Sequence, residues 1–205
     1  MNEVLDPVEY ASREMFDIGG RKFHNHLRFH YDTTRWNFRS LVEDFFQTDA
    51  LEQLHESGHF DPRRTGKKNS LDVSKALRDA VAPKSVALLH TLIHECVARF
   101  IGPIRSIQPL PMMRVNFHGS RAILRFHADK EYGQTPDLVN LWIPVTRVYG
   151  SNSMYVESAA GACDFAPLDM QFGQAFIFRG HDLLHGTVDN DSGGTRITYD
   201  LRFQV

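Results

Sequence analysis

Apolar residues recur at helical spacing in two segments of the first half of the chain. Between residues 34 and 56 they fall about three or four positions apart, and Gly58 follows as a plausible end of the helix. A second such segment spans residues 84 to 100 and stops at Gly102 and Pro103. Residues 61–70 are polar, with Pro and Gly, and predict an exposed loop. The first 105 residues are therefore expected to be mostly helical.

The second half has a different pattern, in which short runs rich in Val, Ile, Phe, Tyr and Thr alternate with turn residues. The predicted strands are 112–117, 122–127, 138–148, 153–157, 164–169, 174–178, 184–188 and 196–203. Short strands at such regular spacing favour a mainly β fold, a double-stranded β-helix (jelly roll, cupin-like), with the N-terminal helices packed on one sheet. The expected organisation is one domain over residues 1–205, with 1–105 as helical support and 106–205 as the jelly-roll core.

Composition narrows the class of protein. The 205 residues are 42% hydrophobic and carry a formal net charge of -2, so the basic face that nucleic acids require is not expected. No apolar run approaches the roughly 18 residues that cross a membrane, and the acidic N-terminus lacks the apolar core of a signal peptide. Two separated cysteines, Cys96 and Cys163, make no disulfide framework, which favours a cytoplasmic location.

Three residues form a candidate metal site. His127 and Asp129 make an H-x-D pair at the end of a predicted strand, where both side chains share one face. His185 lies a few strands later and completes a set of two imidazoles and one carboxylate. That set leaves coordination positions open and suits non-haem iron(II). His181 competes with His185 for this role but falls in a predicted turn.

The last predicted strand offers a candidate anion clamp. A guanidinium binds a carboxylate in a bidentate fork, and Arg196 has Thr198 two residues further along the same strand face. The pair would suit the distal carboxylate of a dicarboxylic cosubstrate. The alternative is a structural arginine that pairs with Asp200.

Other histidines have weaker claims. His90 and His94 are four residues apart on a predicted helix, but a threonine follows the first, so the H-E-x-x-H order of zinc proteases is not met. An exposed helix face is the better interpretation. His24, His26 and His30 form a loose cluster that is either a solvated segment or a lid over the site.

The joint motif of His127-x-Asp129, then His185, then Arg196-x-Thr198 resembles the 2-oxoglutarate/iron(II) dioxygenase superfamily. The segments VNLWIPV at 139–145, GS at 150–151 and YVES at 155–158 are similar to the phytanoyl-CoA hydroxylase-like branch, and more closely to oxygenases encoded in streptomycin-type antibiotic pathways. The resemblance covers roughly residues 112–205.

This resemblance implies a set of cofactors: Fe(II), 2-oxoglutarate as cosubstrate, and O2. The cosubstrate would chelate iron through its 2-oxo group and adjacent carboxylate, with its other carboxylate on Arg196 and Thr198, and would leave as succinate and CO2. Asn140 would line the same pocket. Related halogenases lack the carboxylate that Asp129 supplies, so hydroxylation, or another oxidation such as desaturation or epimerisation, is expected here.

The expected substrate is a small molecule of specialised metabolism, such as an amino acid or an amino-sugar-like intermediate. Tentative substrate-binding residues are Arg114, Asn116, Arg125, Tyr132, Gln134 and Trp142. Three alternatives stay open: a cupin-like binding protein without turnover, a metal-dependent isomerase or hydrolase on the same fold, and a protein hydroxylase. No nucleic-acid or membrane partner is expected, and the oligomeric state is left open.

Overall fold

The computed structural model describes residues 8–58 and 68–205 as a mainly β protein with helices on one side. The strands are β1 Val8–Ala11, β2 Met15–Ile18, β3 Arg21–His24, β4 His26–His30, β5 Ser106–Ile107, β6 Met112–Asn116, β7 Leu138–Pro144, β8 Tyr155–Val156, β9 Ala166–Pro167, β10 Gln174–Phe178, β11 His185–Gly186 and β12 Arg196–Gln204. The helices are α1 Phe38–Phe46, α2 Lys68–Leu92 and α3 Ala98–Ile101, with a π-helical turn at Ile93–Val97 between the last two. Short 3-10 helices span Leu51–Glu56, Asp129–Tyr132 and Gly150–Asn152.

The strands form one large antiparallel sheet and two small ones. The large sheet has the order β1-β4-β10-β7-β12-β5, and β6 also pairs with β12. A three-stranded sheet has the order β11-β8-β9, and β2 and β3 form a separate hairpin. The central strands of the large sheet, β7 and β12, pair along almost their whole length, from Thr198 opposite Pro144 to Gln204 opposite Leu138.

The two faces of the large sheet have different partners. Strand β12 alternates, as a pleated strand must, and sends four apolar residues into the core beneath the helices, where Tyr199 packs on Phe38 of α1 with ring centroids 5.4 Å apart. On the opposite face Trp142 and Phe176 pack against Val156 of the small sheet. Two layers of sheet with helices outside one of them are compatible with the jelly roll expected from the sequence.

One partly buried arginine ties the N-terminal helices to the sheet. Arg39 of α1 donates to Glu43 at 2.7 Å and to Glu52 of the following 3-10 helix at 2.9 Å. The same guanidinium reaches the backbone carbonyls of Asp49, at 2.7 Å, and Val145, just after β7, at 3.2 Å. Because five donors of one side chain serve four partners, α1 is held in a defined position against the sheet.

The N-terminal half differs from the expectation in two places. Residues Val8–His30 form β1 to β4 rather than helix or loop, and β4 is an internal strand of the large sheet. The segment expected as one helix over 34–56 is divided, because Gln47 adopts the left-handed conformation with φ of 55° and ends α1.

The second helix begins well before the expected residue 84. Its buried face includes Ser70, Ser74, Leu77 and Val81. Two serines on the buried side interrupt the apolar periodicity, and this explains why the sequence pattern did not reveal the first turns of α2. Of the expected loop at 61–70, residues 61–67 lie outside the described part of the chain, and 68–70 are helical.

In the second half, β6, β10 and β12 match the expected strands closely, whereas 122–127 does not form a strand. This segment is irregular, with the Ala122 backbone N–H bonded to the Asp189 carboxylate at 2.8 Å, and only His127 makes a β-bridge. Among the described residues, none of the helices combines the length and the apolar character needed to cross a bilayer.

Candidate metal centre

Three buried side chains from separate parts of the chain meet at one point. His127 lies in a β-bridge with His185 of β11, and Asp129 opens the 3-10 helix that follows. Each can offer a ligand atom within 4.8 Å of those of the other two. The Nε2 atoms of both histidines lie 3.8 Å from Asp129 Oδ1. The three residues singled out by the sequence pattern therefore converge.

The backbone fixes which imidazole nitrogen faces this point. His127 Nδ1 lies 2.8 Å from the Arg125 carbonyl oxygen, and His185 Nδ1 lies 3.0 Å from the Leu183 carbonyl oxygen. A carbonyl only accepts, so each Nδ1 carries the proton and each Nε2 keeps its lone pair. Burial lowers the pKa of His185, which favours the neutral, metal-binding form. Two imidazole lone pairs thus point toward Asp129.

Asp129 is held as a carboxylate. Arg202 donates through Nε to Oδ2 and through Nη2 to Oδ1, both at 3.0 Å, and Asn140 Nδ2 donates to Oδ2 at 2.9 Å. Burial by itself would raise the pKa of Asp129. The hydrogen bonds and charge of Arg202, together with Asn140, outweigh that effect and hold the pKa below its ordinary value.

Arg196 is fully buried with no carboxylate partner among the described residues. Its Nη1 donates to the Asn152 carbonyl at 3.0 Å, whereas its Nε and the nearby Thr198 hydroxyl have no partner. Burial, with the like charge of Arg114 as a second cause, lowers the pKa of Arg196 to about 9. The alternative pairing with Asp200 does not form, since that carboxylate lies 4.0 Å from Arg114 instead. An unpaired buried cation fits the carboxylate of a ligand.

A cavity connects the two parts of this site. His127 and His185 line one side of it, and Arg196 lines the other. The remaining lining residues are Arg114, Ile123, Leu124, Trp142, Met154, Gly186, Thr187, Asp200 and Arg202. Polar and charged side chains therefore converge with apolar ones around one concave site, where a small molecule could be oriented.

Only some of the tentative substrate-binding residues line the cavity. Arg114 and Trp142 line the cavity. Asn116 is fully buried opposite Arg196 in the β6–β12 register, and neither atom of its side-chain amide has a partner. Gln134 lines a neighbouring surface pocket that Arg202 also borders.

The two residues nearest the H-x-D pair face outward to different degrees. Arg125, a tentative substrate-binding residue, lies in a segment that is not a strand, and its exposed guanidinium pairs with Glu131 at 2.7 Å. Tyr132 is exposed, although its ring edge packs on the His127 imidazole with centroids 5.0 Å apart.

The other histidines stay outside the three-residue set. His181 Nδ1 pairs with Asp182 at 2.8 Å, so this competitor of His185 has a different partner. Of the N-terminal cluster, His26 is not solvated but buried, with its ring 5.4 Å from that of Phe176, whereas His30 is exposed and pairs with Glu9 at 3.1 Å.

Arg202 was absent from the expected site. The signal was present in the sequence, because residues 196, 198, 200 and 202 alternate along one strand and share the polar face of β12. What the sequence could not show was which acid this arginine would reach.

No protein-family model matches the sequence. The chain is similar to the streptomycin biosynthesis protein StrG of Streptomyces griseus, with 29% identity over 177 residues, which are 86% of this chain and 83% of that protein. Two crystal structures share the fold. One is AviO1 from Streptomyces viridochromogenes Tue57, with a TM-score of 0.59, 14% identity, and coverage of 88% of this chain and 90% of that one.

The other is SnoK, a non-haem alpha-ketoglutarate-dependent carbocyclase from nogalamycin biosynthesis, with a TM-score of 0.56, 13% identity, and coverage of 88% and 80%. Because identity to both solved structures is low, these two likenesses concern the fold.

Proposed function

We propose that the chain is a non-haem Fe(II) and 2-oxoglutarate-dependent oxygenase of a small molecule, in line with its similarity to a streptomycin biosynthesis protein and with the fold that it shares with SnoK. The observation that carries the proposal is the pairing of two features in one cavity. Two histidines and Asp129 present ligand atoms within 4.8 Å, and Arg196 lies buried in the same cavity without a carboxylate partner among the described residues. The fold we propose is the jelly roll.

The residues present fit both the metal and the cosubstrate. His127 and His185 would bind iron(II) through Nε2 and Asp129 through its carboxylate, a nitrogen- and oxygen-donor set typical of this metal. The guanidinium of Arg196 and the hydroxyl of Thr198 would hold the distal carboxylate of 2-oxoglutarate. Bound iron supplies the redox chemistry, with O2 as oxidant, and succinate and CO2 as co-products.

Asn140 has a different role from the one expected. Its side-chain amide donates to Asp129, so we assign it to the support of a metal ligand rather than to cosubstrate binding. Among the other residues around the cavity, Trp142 and Met154 would exclude water from a bound metal, and Arg114 would orient a polar group of the substrate.

The substrate we propose is a small molecule of specialised metabolism. The similarity to a streptomycin biosynthesis protein supports this assignment, and so does a concave cavity in which polar and charged side chains converge. Hydroxylation is the favoured outcome, with desaturation and epimerisation as alternatives. A cytoplasmic location and the absence of nucleic-acid and membrane partners remain predictions.

The decisive experiment is an anaerobic titration of the purified protein with iron(II) and then 2-oxoglutarate. Bidentate chelation of iron by the 2-oxo acid gives a weak visible charge-transfer band, which we expect for the wild type. His185→Ala should lose the band, whereas His181→Ala, four residues earlier, should retain it. A wild-type protein that binds 2-oxoglutarate without this band, or binds no iron, would contradict the proposal and favour a cupin-like binding protein.

A further inference from the structure

The hydrogen bonds to Asp129 are distributed unequally between its two oxygens. Oδ2 accepts two of them, from Asn140 Nδ2 at 2.9 Å and from Arg202 Nε at 3.0 Å. Oδ1 accepts one, from Arg202 Nη2 at 3.0 Å. An ionised carboxylate has about four acceptor sites, roughly two on each oxygen. Oδ2 is therefore saturated, and Oδ1 keeps one lone pair.

The oxygen with the remaining lone pair is also the one that faces the histidines. Oδ1 lies 3.8 Å from His127 Nε2 and 3.8 Å from His185 Nε2. Those two nitrogens keep their own lone pairs, since each Nδ1 is bonded to a backbone carbonyl. One acceptor site on each of the three residues is thus left free, and the three lie close together.

We propose that Arg202 and Asn140 are positioning residues that restrict Asp129 to a single coordinating oxygen, Oδ1. The inference rests on the proposed function, because it concerns how the metal is bound. A carboxylate that binds a metal through both oxygens occupies two coordination positions. By saturating Oδ2, the two residues keep open a position that the cosubstrate or dioxygen requires.

The chemistry of Arg202 suits this role better than that of another cation. Its fork spans both carboxylate oxygens in one plane and fixes the rotation of the Asp129 side chain, which a lysine ammonium cannot do. Asn140 is nearly fully buried on β7, directly opposite Arg202 in the β7–β12 register. Two adjacent strands therefore hold the same oxygen.

The test compares Mn(II) complexes of the wild type, Arg202→Met and Asn140→Ala. The control is Arg147→Met, which removes an exposed arginine that pairs with Asp169 at 3.6 Å. Mn(II) affinity is measured by calorimetry, and the water molecules on the bound ion are counted by electron–nuclear double resonance in oxygen-17 water. Asn140→Ala keeps the test valid if Arg202→Met does not fold, because it removes only one donor.

We expect both site variants to bind Mn(II) about 10- to 100-fold more weakly, as outer residues of metal sites generally do when replaced. Each should also carry one bound water fewer than the wild type, because the released Oδ2 then coordinates. A merely structural role predicts the opposite, a gain of water as Asp129 moves away. An unchanged or increased water count in Asn140→Ala would overturn the inference. Failure of the wild type itself to bind Mn(II) would instead overturn the proposed function.

Discussion

His127 and His185 are joined by their backbones as well as by proximity of their rings. The His127 N–H donates to the His185 carbonyl at 3.0 Å, and the His185 N–H donates back to the His127 carbonyl at 2.9 Å. The ring centroids lie 4.6 Å apart. This reciprocal pair fixes the distance between two candidate metal ligands, although His127 is not part of a regular strand.

Gly186 provides a way to disturb this backbone pair. A Cβ atom at this position would lie 2.8 Å from Phe126 Cα and 3.0 Å from Phe126 N, both in rigid backbone. Gly186→Ala should therefore separate the two segments, destabilise the protein by about 1–3 kcal/mol, and weaken Mn(II) binding about tenfold or more. Urea unfolding and Mn(II) calorimetry measure the two effects.

The matched control for this change is Gly58→Ala, because no atom of the described residues lies within 4 Å of a Cβ atom there. It should leave the midpoint of urea unfolding and the Mn(II) affinity nearly unchanged. Wild-type Mn(II) affinity in Gly186→Ala would show that the close approach to Phe126 does not set the position of His185.

The strands predicted best are those that alternate between two well-defined faces. Strands β10 and β12 were predicted almost to the residue, because each has an apolar side toward the helices and a recognisable second side. Strand β4 was not predicted, since His26, Arg28 and His30 make its second face look like a solvated segment. Its pairing with β10 is a tertiary contact that local pattern does not encode.

The candidate site, like the strands, could be predicted only in part from the sequence. The three metal-ligand candidates could be named from spacing and residue type, and the structure brings them together. The arginine that pairs with Asp129 could not be named from the sequence, because Arg202 is 73 residues away along the chain. The strand predicted for 122–127, which contains Arg125, was wrong, because apolar residues in an irregular segment can imitate the composition of a strand.

Arg196 is expected to destabilise the protein in the absence of ligand. A buried charge without a partner costs free energy, so Arg196→Met should unfold at the same or a higher temperature than the wild type without cosubstrate. Charge-assisted hydrogen bonds contribute about 1.5–3 kcal/mol, so the variant should bind 2-oxoglutarate about 10- to 100-fold more weakly. Thermal unfolding with Mn(II), with and without 2-oxoglutarate, measures both. A large fall in stability with unchanged 2-oxoglutarate binding would mean that the arginine is structural.

Ser74 connects α2 to β6 and is a target for a stability measurement. Its hydroxyl accepts from the Val115 N–H at 2.7 Å and donates to the Val115 carbonyl at 3.3 Å, in a buried position. Ser74→Ala leaves that buried N–H without its partner and should cost about 1–3 kcal/mol in urea unfolding. Ser40→Ala, whose hydroxyl bonds to Asn37 in an exposed turn, should change stability by less than about 0.5 kcal/mol. Equal effects of the two variants would count against the buried link.

The ion pair of Glu52 with Arg39 predicts a stability difference that depends on pH. Burial alone would raise the pKa of Glu52, but the hydrogen bonds and charge of Arg39 outweigh it and hold the pKa below 4.5. The folded state therefore favours the carboxylate. The stabilisation by this ion pair is fully present above pH 4.5 and is lost as the pH falls through the pKa of Glu52 in the folded state.

Because Glu52 is partly exposed, Glu52→Gln should cost only about 1 kcal/mol at pH 7. In urea unfolding, the gap to the wild type should stay constant from pH 7 to pH 5 and narrow below 4.5. Asp79→Asn, which breaks exposed pairs with Lys75 and Arg78, should leave the stability at pH 7 nearly unchanged. A gap that widens on acidification would refute the assignment of Arg39 as the cause.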